Sequence, residues 1–292
     1  MSRGDAPGVD GILVVDKPAG MTSHDVVAIV RRSLGLKRVG HAGTLDPDAT
    51  GVLVLGVGRA TRLLRFIESG EKEYEADVVL GVETSSQDAS GDVLSESDAS
   101  AVSSDDVERA AAALTGAIDQ IPPMVSAVKV GGERLYRKAR RGEEVDRPPR
   151  RVTVHEMSIE RFEPGPRPTV RFRVRCSPGT YVRTLAHDLG RSLGVGAHVS
   201  VLRRTRVGTF AVDDAIALDA VEAGAVRPML DAVAAHPRCD VDAEQARSLA
   251  QGKSLPAFGV EGEYTVVGPA GLVAMAEDRG DVSRPLVVVA DP

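Results

Sequence analysis

Gly40-His41-Ala42-Gly43-Thr44-Leu45-Asp46-Pro47-Asp48-Ala49-Thr50-Gly51 runs directly into Val52-Leu53-Val54-Leu55. The first part is a polar, glycine-punctuated connection with one histidine and two carboxylates, and the second reads as a buried strand. Upstream, Val26, Val27, Val30 and Leu34 recur at helical spacing with Arg31 and Arg32 outside. The connection is therefore held between an amphipathic helix and a core strand, the setting in which loops carry catalytic side chains. An Asp-Pro turn with glycines for positive φ has the same composition. Spacing alone leaves turn and active site both open.

Working outward, Ile12-Leu13-Val14-Val15 reads as a strand stopped by Asp16-Lys17-Pro18-Ala19-Gly20, and Thr22 or Ser23 caps the helix that follows. A second helix is expected over 59–68, a strand over 74–80, and a solvated loop over 83–104 with a turn at Ser90-Gly91-Asp92. An alanine-rich helix follows over 105–114, then a strand over 125–130. Segments 150–162 and 169–176 alternate apolar and charged residues as an antiparallel pair, and 180–193 is helical after Pro178-Gly179. Extended structure returns at 199–212, with a helical patch at 215–223. Strands and helices mix without a βαβ repeat, which predicts an α+β fold with a largely antiparallel mixed sheet flanked by helices. The last fifty-odd residues change to a short helix at 243–250 and Gly/Val-rich strands, a small β-rich domain. The expected division is 1–236 and 237–292.

The 292 residues, 42% hydrophobic and 27% charged, are ordinary for a globular protein. No apolar run approaches the roughly 20 residues that span a bilayer. The opening MSRGDAPGVDG has no signal pattern and reads as a short lead. Cys176 and Cys239 stand far apart, against a disulfide framework or zinc knuckle. Together these features predict a cytoplasmic protein. The net charge of -6 conceals segregation: residues 31–65 carry +5, 129–151 carry +5 and 171–206 carry +7, against -12 over 68–108 and -8 over 207–292. Three basic segments in an acidic chain point to a polyanion-binding face; the competing reading is solvated arginines paired with the acidic segments.

The loop has companions. Gly179-Thr180-Tyr181-Val182-Arg183 opens a helix in the most basic segment, and Tyr74, one of four tyrosines, starts a strand. A carboxylate, an arginine and a tyrosine brought together would make a nucleophile, its charge partner and a stacking group. With Val15-Asp16-Lys17-Pro18, Met21-Thr22-Ser23, Ser126-Ala127-Val128-Lys129, Gly196-Ala197-His198 and Leu202-Arg203-Arg204, the loop closely resembles the motif set of the bacterial tRNA pseudouridine synthase B family. The match runs in the family's order from about residue 10 to 212, and the C-terminal part is similar in position and size to that family's PUA-type RNA-binding domain.

The resemblance implies an isomerase acting on uridine 55 in the T loop of tRNA, whose base is flipped out, detached, rotated and rejoined through carbon. Asp46 takes the position of the essential aspartate, either attacking the ribose C1′ or promoting glycal formation. Tyr74 takes that of the tyrosine that stacks on the base and is implicated in the final deprotonation, Arg183 that of the aspartate's partner, and Leu202 that of an apolar wall of the uracil pocket. His41 matches a histidine near the flipped bases, Tyr181 a pocket or packing residue, and Lys17 a residue that contacts RNA or supports the loop. Asp48 reads as a turn residue and Cys176 as a small buried one. The basic segment 122–150 resembles the family's insertion that closes on the T arm. Neither metal nor other cofactor is implied, and the expected partner is tRNA alone: no guide RNA, no obligatory protein partner, a monomer.

Three other readings stand beside this one. A tRNA-folding protein without chemistry would bind without needing the Asp46, Tyr74 and Arg183 set. A guide-RNA-dependent synthase would lack the stand-alone layout of basic insertion and small C-terminal domain. A glycosidase would need a second catalytic carboxylate, for which only Asp48, two residues from Asp46, offers itself.

Overall fold

The computed structural model describes residues 9–126, 129–130, 132–134, 141, 143 and 145–291. The start of the expected N-terminal lead and much of the 122–150 insertion, including Ala127 and Val128, lie outside the described residues. The chain forms two compact units, one from residues 1–70 and 207–292, the other from 71–206.

In the first unit, strand Thr50–Val57 pairs antiparallel with Gly11–Lys17 and with Val39–Ala42. Helix Ser23–Leu34 starts at Thr22, whose hydroxyl accepts from Asp25 N while the Asp25 carboxylate accepts from Thr22 N, a reciprocal capping box. It stops at Gly35, left-handed at φ 64°. The helix expected at 59–68 is split into a 3-10 turn, Gly58–Arg62, and helix Leu64–Glu68. Gly58 has φ 60° and its carbonyl is taken by the Thr61 hydroxyl, which competes with regular helical pairing. The patch expected to be helical at 215–223 is instead a two-residue strand, Ile216–Ala217, parallel to Val15 and Asp16, followed by 3-10 turns.

The C-terminal sheet belongs to this same unit. Its strands run Arg238–Asp240, Glu263–Gly268, Gly271–Arg279, Val282–Val288 and Leu255–Pro256 in spatial order, with helix Ala243–Ala250 beside them. Tyr264, Val266 and Ala276 pack with Leu249 in its own core. Leu272, Met275 and Val289 join Ile12, Val14 and Phe66 in a shared apolar cluster. The small domain thus covers apolar surface on the N-terminal strands.

In the second unit the order is Ala197–Val207, Lys72–Leu80, Thr169–Cys176, Arg150–Glu163 and Gly116–Gln120. One sheet face buries Ala76, Val78, Leu80, Val170, Phe172 and Val174 against helices Ser104–Ala113 and Val182–Ser192. The expected loop at 83–104 contains a hairpin, Val82–Thr84 with Val93–Glu96. Strand Gly116–Gln120 extends the sheet beyond the expected elements, while of the strand expected at 125–130 Val125 and Ser126 bend and Lys129–Val130 is extended, paired with Glu133–Arg134.

The charged sheet face revises the expected polyanion surface. Arg171, Arg173 and Arg175 stand opposite Asp77, Glu75 and Glu73 in the antiparallel register. Arg171 holds Asp77 at 2.6 Å, Arg173 holds Glu75 and Glu160 at 2.8 Å, and Arg175 holds Glu71 at 2.9 Å. These three arginines are each satisfied by a carboxylate about a hundred residues earlier, and Arg173 by Glu160 as well. Among the described residues, Arg32, Lys37 and Arg38, all exposed, make no ion pair. No helix among the described residues is long and apolar enough to cross a membrane.

Candidate active site

The loop between Val39–Ala42 and Thr50–Val57 is a turn whose backbone is held on both sides of Asp46. Ala49 N donates to Asp46 O at 3.2 Å, with Pro47 at the second position, as a type I turn favours. Gly43 and Gly51 take φ 83° and 99°, which a side chain would resist. The residues on either side of Asp46 are tied down. Leu45 N donates to Ser23 Oγ at 2.9 Å, and Ser23 Oγ donates to Leu45 O at 3.2 Å. Pro47 O accepts from Gly20 N at 3.0 Å and from Lys17 Nζ at 2.8 Å.

Of the two roles expected of Lys17, its contacts are those of loop support. It is 0% exposed, and its ammonium also donates to Pro18 O and Met21 O at 2.8 and 2.7 Å. The three carbonyls belong to the loop and to the turn before the helix. Lys17 is the buried cation that fixes the turn C-terminal to Asp46. His41 lies in Val39–Ala42 opposite Leu55, half-buried, its ring edge-on to His24 with centroids 5.4 Å apart.

The second unit holds Tyr74, Tyr181, Arg183 and Leu202. Tyr74 sits on Lys72–Leu80 opposite Val174, and Tyr74 and Leu202 both pack against the apolar cluster that contains Val182. Tyr181 precedes helix Val182–Ser192. Its N–H donates to Gln120 Oε1 at 2.9 Å, and Gln120 Nε2 donates back to Tyr181 O at 3.2 Å. Arg183 is buried in the first helical turn. Its Nη1 donates to Ser86 O at 2.7 Å and Asp88 Oδ2 at 3.1 Å, and its Nη2 donates to Val125 O at 2.8 Å. Burial opposes ionisation of Asp88. Hydrogen bonds from Ser86 and Ser90 and the charge of Arg183 outweigh it, and hold the carboxyl below its ordinary value. Cys176 is a buried strand residue whose thiol burial pushes up to about 11, so it stays protonated at neutral pH.

The contacts of Ser23 with Leu45, Gln120 with Tyr181 and Asp88 with Arg183 are ones that sequence reading did not find. Asp88 lies in the acidic stretch read as solvated. The signal that could have found it is the Ser-x-Asp-x-Ser spacing, in which hydroxyls two residues either side can bond one carboxylate.

These sheets, with helices packed on one face and a small β-domain at the C-terminal end, form a pseudouridine-synthase fold. It is similar to the structure described as "Crystal Structure of a Cbf5-Nop10-Gar1 Complex", with TM-score 0.75 and 29% identity over 96% of this chain and 85% of that one. A second, "Structure of H/ACA RNP bound to a substrate RNA containing 2'-deoxyuridine", gives 0.73 and 26% over the same shares. The chain belongs to the TruB family of pseudouridylate synthases. Residues 31–182 match the TruB family pseudouridylate synthase N-terminal domain, 183–233 the tRNA pseudouridylate synthase B C-terminal domain, and 236–290 the tRNA pseudouridine synthase II C-terminal domain. The tRNA pseudouridine synthase B of Thermobifida fusca (strain YX) is 50% identical over 289 residues, covering 96% of this chain and 99% of that protein. The protein of the same name from Symbiobacterium thermophilum is 53% identical over 246 residues, covering 84% and 82%.

Proposed function

We propose that this chain isomerises uridine 55 in the T loop of tRNA to pseudouridine, with Asp46 as the reacting carboxylate. The observation that carries the reading is the clamp on Asp46. Ser23 holds Leu45, and Lys17 with Gly20 holds Pro47, so one carboxylate in the family's motif is presented on a fixed backbone.

The target base must leave its stack before reaction, at a cost of about a few kcal/mol. The N1–C1′ bond then breaks, the uracil turns, and a C5–C1′ bond forms. C5 gives up its proton and N1 gains one, so the product is an isomer of the substrate. The Asp46 carboxylate serves either route to the detached base, by adding to C1′ or by taking the C2′ proton to leave a glycal. In this reading Tyr74 stacks on the base, Leu202 and Tyr181 line its pocket, His41 helps to place it, and Arg183 supplies positive charge.

The exposed cations Arg32, Lys37 and Arg38 hold phosphates of the T arm. Residues 237–292 act as a PUA-like domain that supports the fold more than it attracts the polyanion, since they carry five basic against nine acidic residues. The enzyme works in the cytoplasm as a monomer on tRNA alone. The 50% and 53% identity to relatives named tRNA pseudouridine synthase B, over 96% and 84% of this chain, favours this over a guide-dependent mode. The test is the purified chain with an unmodified tRNA transcript and no other RNA. Pseudouridine at position 55 is expected; activity only on adding a guide RNA would refute it.

A further inference from the structure

Gln87 has φ 63° and is the single non-glycine residue with a positive φ among the described residues. A turn that only reverses the chain would place glycine or asparagine there, because a Cβ crowds the following carbonyl oxygen in this conformation, a cost that glycine lacks and asparagine offsets by local hydrogen bonds. A strained residue persists where its surroundings over-determine it, and those of Gln87 do. Its side-chain Oε1 accepts from the Thr184 hydroxyl at 2.9 Å, one residue beyond Arg183. Its carbonyl accepts from Val199 N at 3.1 Å, and Ala89 N donates to Val199 O at 3.0 Å. The turn is therefore pinned both to the helix that carries Arg183 and to strand Ala197–Val207.

What the strained residue achieves is visible on either side of it. Ser86 O and Asp88 Oδ2, one residue before and one after, converge on the same Arg183 nitrogen. The other carboxylate oxygen, Oδ1, accepts from Ser86 Oγ at 2.6 Å, Ser90 Oγ at 2.6 Å and Ser90 N at 3.0 Å. With Oδ1 held by three donors the carboxylate cannot rotate, and Oδ2 is left to Arg183. A turn at ordinary φ would point residues 86 and 88 apart.

We propose that the 86–90 turn is a positioning device for the Arg183 guanidinium, with Gln87, Ser86, Ser90 and Thr184 as positioning residues for the reaction. The proposal rests on the assignment of Arg183 to catalysis given above. None of these four side chains need touch substrate. They fix the direction in which the arginine presents its charge, so their loss acts on the chemical step and not on tRNA affinity.

The variants are Gln87→Gly, Thr184→Val, Thr184→Ser and the double change Ser86→Ala with Ser90→Ala, made in the full chain. Single-turnover pseudouridine formation on a T-arm stem-loop, the Kd for that RNA and the Tm are measured for each. Gln87→Gly separates positioning from folding, because glycine relieves the backbone strain while removing the side-chain anchor. The expected result for Gln87→Gly, Thr184→Val and the double variant is a single-turnover rate lower by about 10-fold, with Kd within about twofold of wild type. Tm is not lowered in Gln87→Gly, and Thr184→Ser recovers most of the rate. Wild-type rates in Gln87→Gly and Thr184→Val would overturn the proposal, as would rate losses that only follow Tm or Kd. Asp46→Asn is run alongside: turnover by that variant would overturn the functional reading itself, whatever the turn variants do.

Discussion

Arg183 and Asp88 form an ion pair of 3.1 Å in which the arginine side chain is 4% exposed and the carboxylate 23%. The cation has left water, so the carboxylate and two carbonyls must replace its hydration, and removing one partner of such a pair is costly. Asp88→Ala is predicted to lower stability by about 3 kcal/mol and the single-turnover rate by about 100-fold. Chemical denaturation and a rapid-quench assay check the two figures. A variant with wild-type rate would show that Asp88 does not serve Arg183.

The same carboxylate gives a pH signature. Its folded value lies below the ordinary 3.8, so the folded state binds fewer protons than the unfolded one near that pH. The stability it contributes is complete above about pH 4 and is lost as pH falls through the lower folded value. Asp88→Asn is predicted to be less stable than wild type at pH 7, with the difference shrinking below about pH 4. A difference that stays constant from pH 7 to pH 3 would contradict this.

Lys17 tests the support of the loop. Lys17→Met orphans three carbonyls around a sealed site and is predicted to cost about 2–4 kcal/mol and most of the activity. Lys17→Arg is predicted not to recover it, because a planar fork cannot replace an ammonium that donates to three converging oxygens. Thermal melts and turnover of both variants check this; a fully active Lys17→Arg would argue that charge alone is needed.

The basic surfaces separate by salt dependence. Replacing Arg32, Lys37 and Arg38 together by Ala is predicted to weaken T-arm RNA binding and reduce the slope of log K against log salt by roughly 2. The same change at Arg171, Arg173 and Arg175 is predicted to leave that slope unaltered, because those side chains already hold carboxylates. Equal effects of the two triples would refute the division.

The loop was legible because glycine, proline and the capping Thr22 announce backbone requirements locally. The pairs Ser23 with Leu45 and Lys17 with Pro47 were not, since they join residues 22 and 30 positions apart. The hairpin at 82–96 escaped because all four residues of Val93–Glu96 are exposed and carry no alternation. Segment charges misled at Arg171, Arg173 and Arg175. The alternation in Thr169–Cys176 was plain, but which carboxylates face it depends on pairing with a strand far earlier in the chain. Asp88 was half-legible: the Ser-x-Asp-x-Ser spacing marks a carboxylate held by its neighbours, but that Arg183 is its partner depends on a contact 95 residues away.

The central claim is that one carboxylate, Asp46, carries the chemistry, and site-resolved pseudouridine mapping of unmodified tRNA treated with wild type and with Asp46→Asn tests it most directly. The wild type is predicted to convert uridine 55 alone, and the variant to bind the same tRNA with similar affinity and leave every uridine unchanged. Pseudouridine at position 55 in tRNA treated with Asp46→Asn would contradict the account.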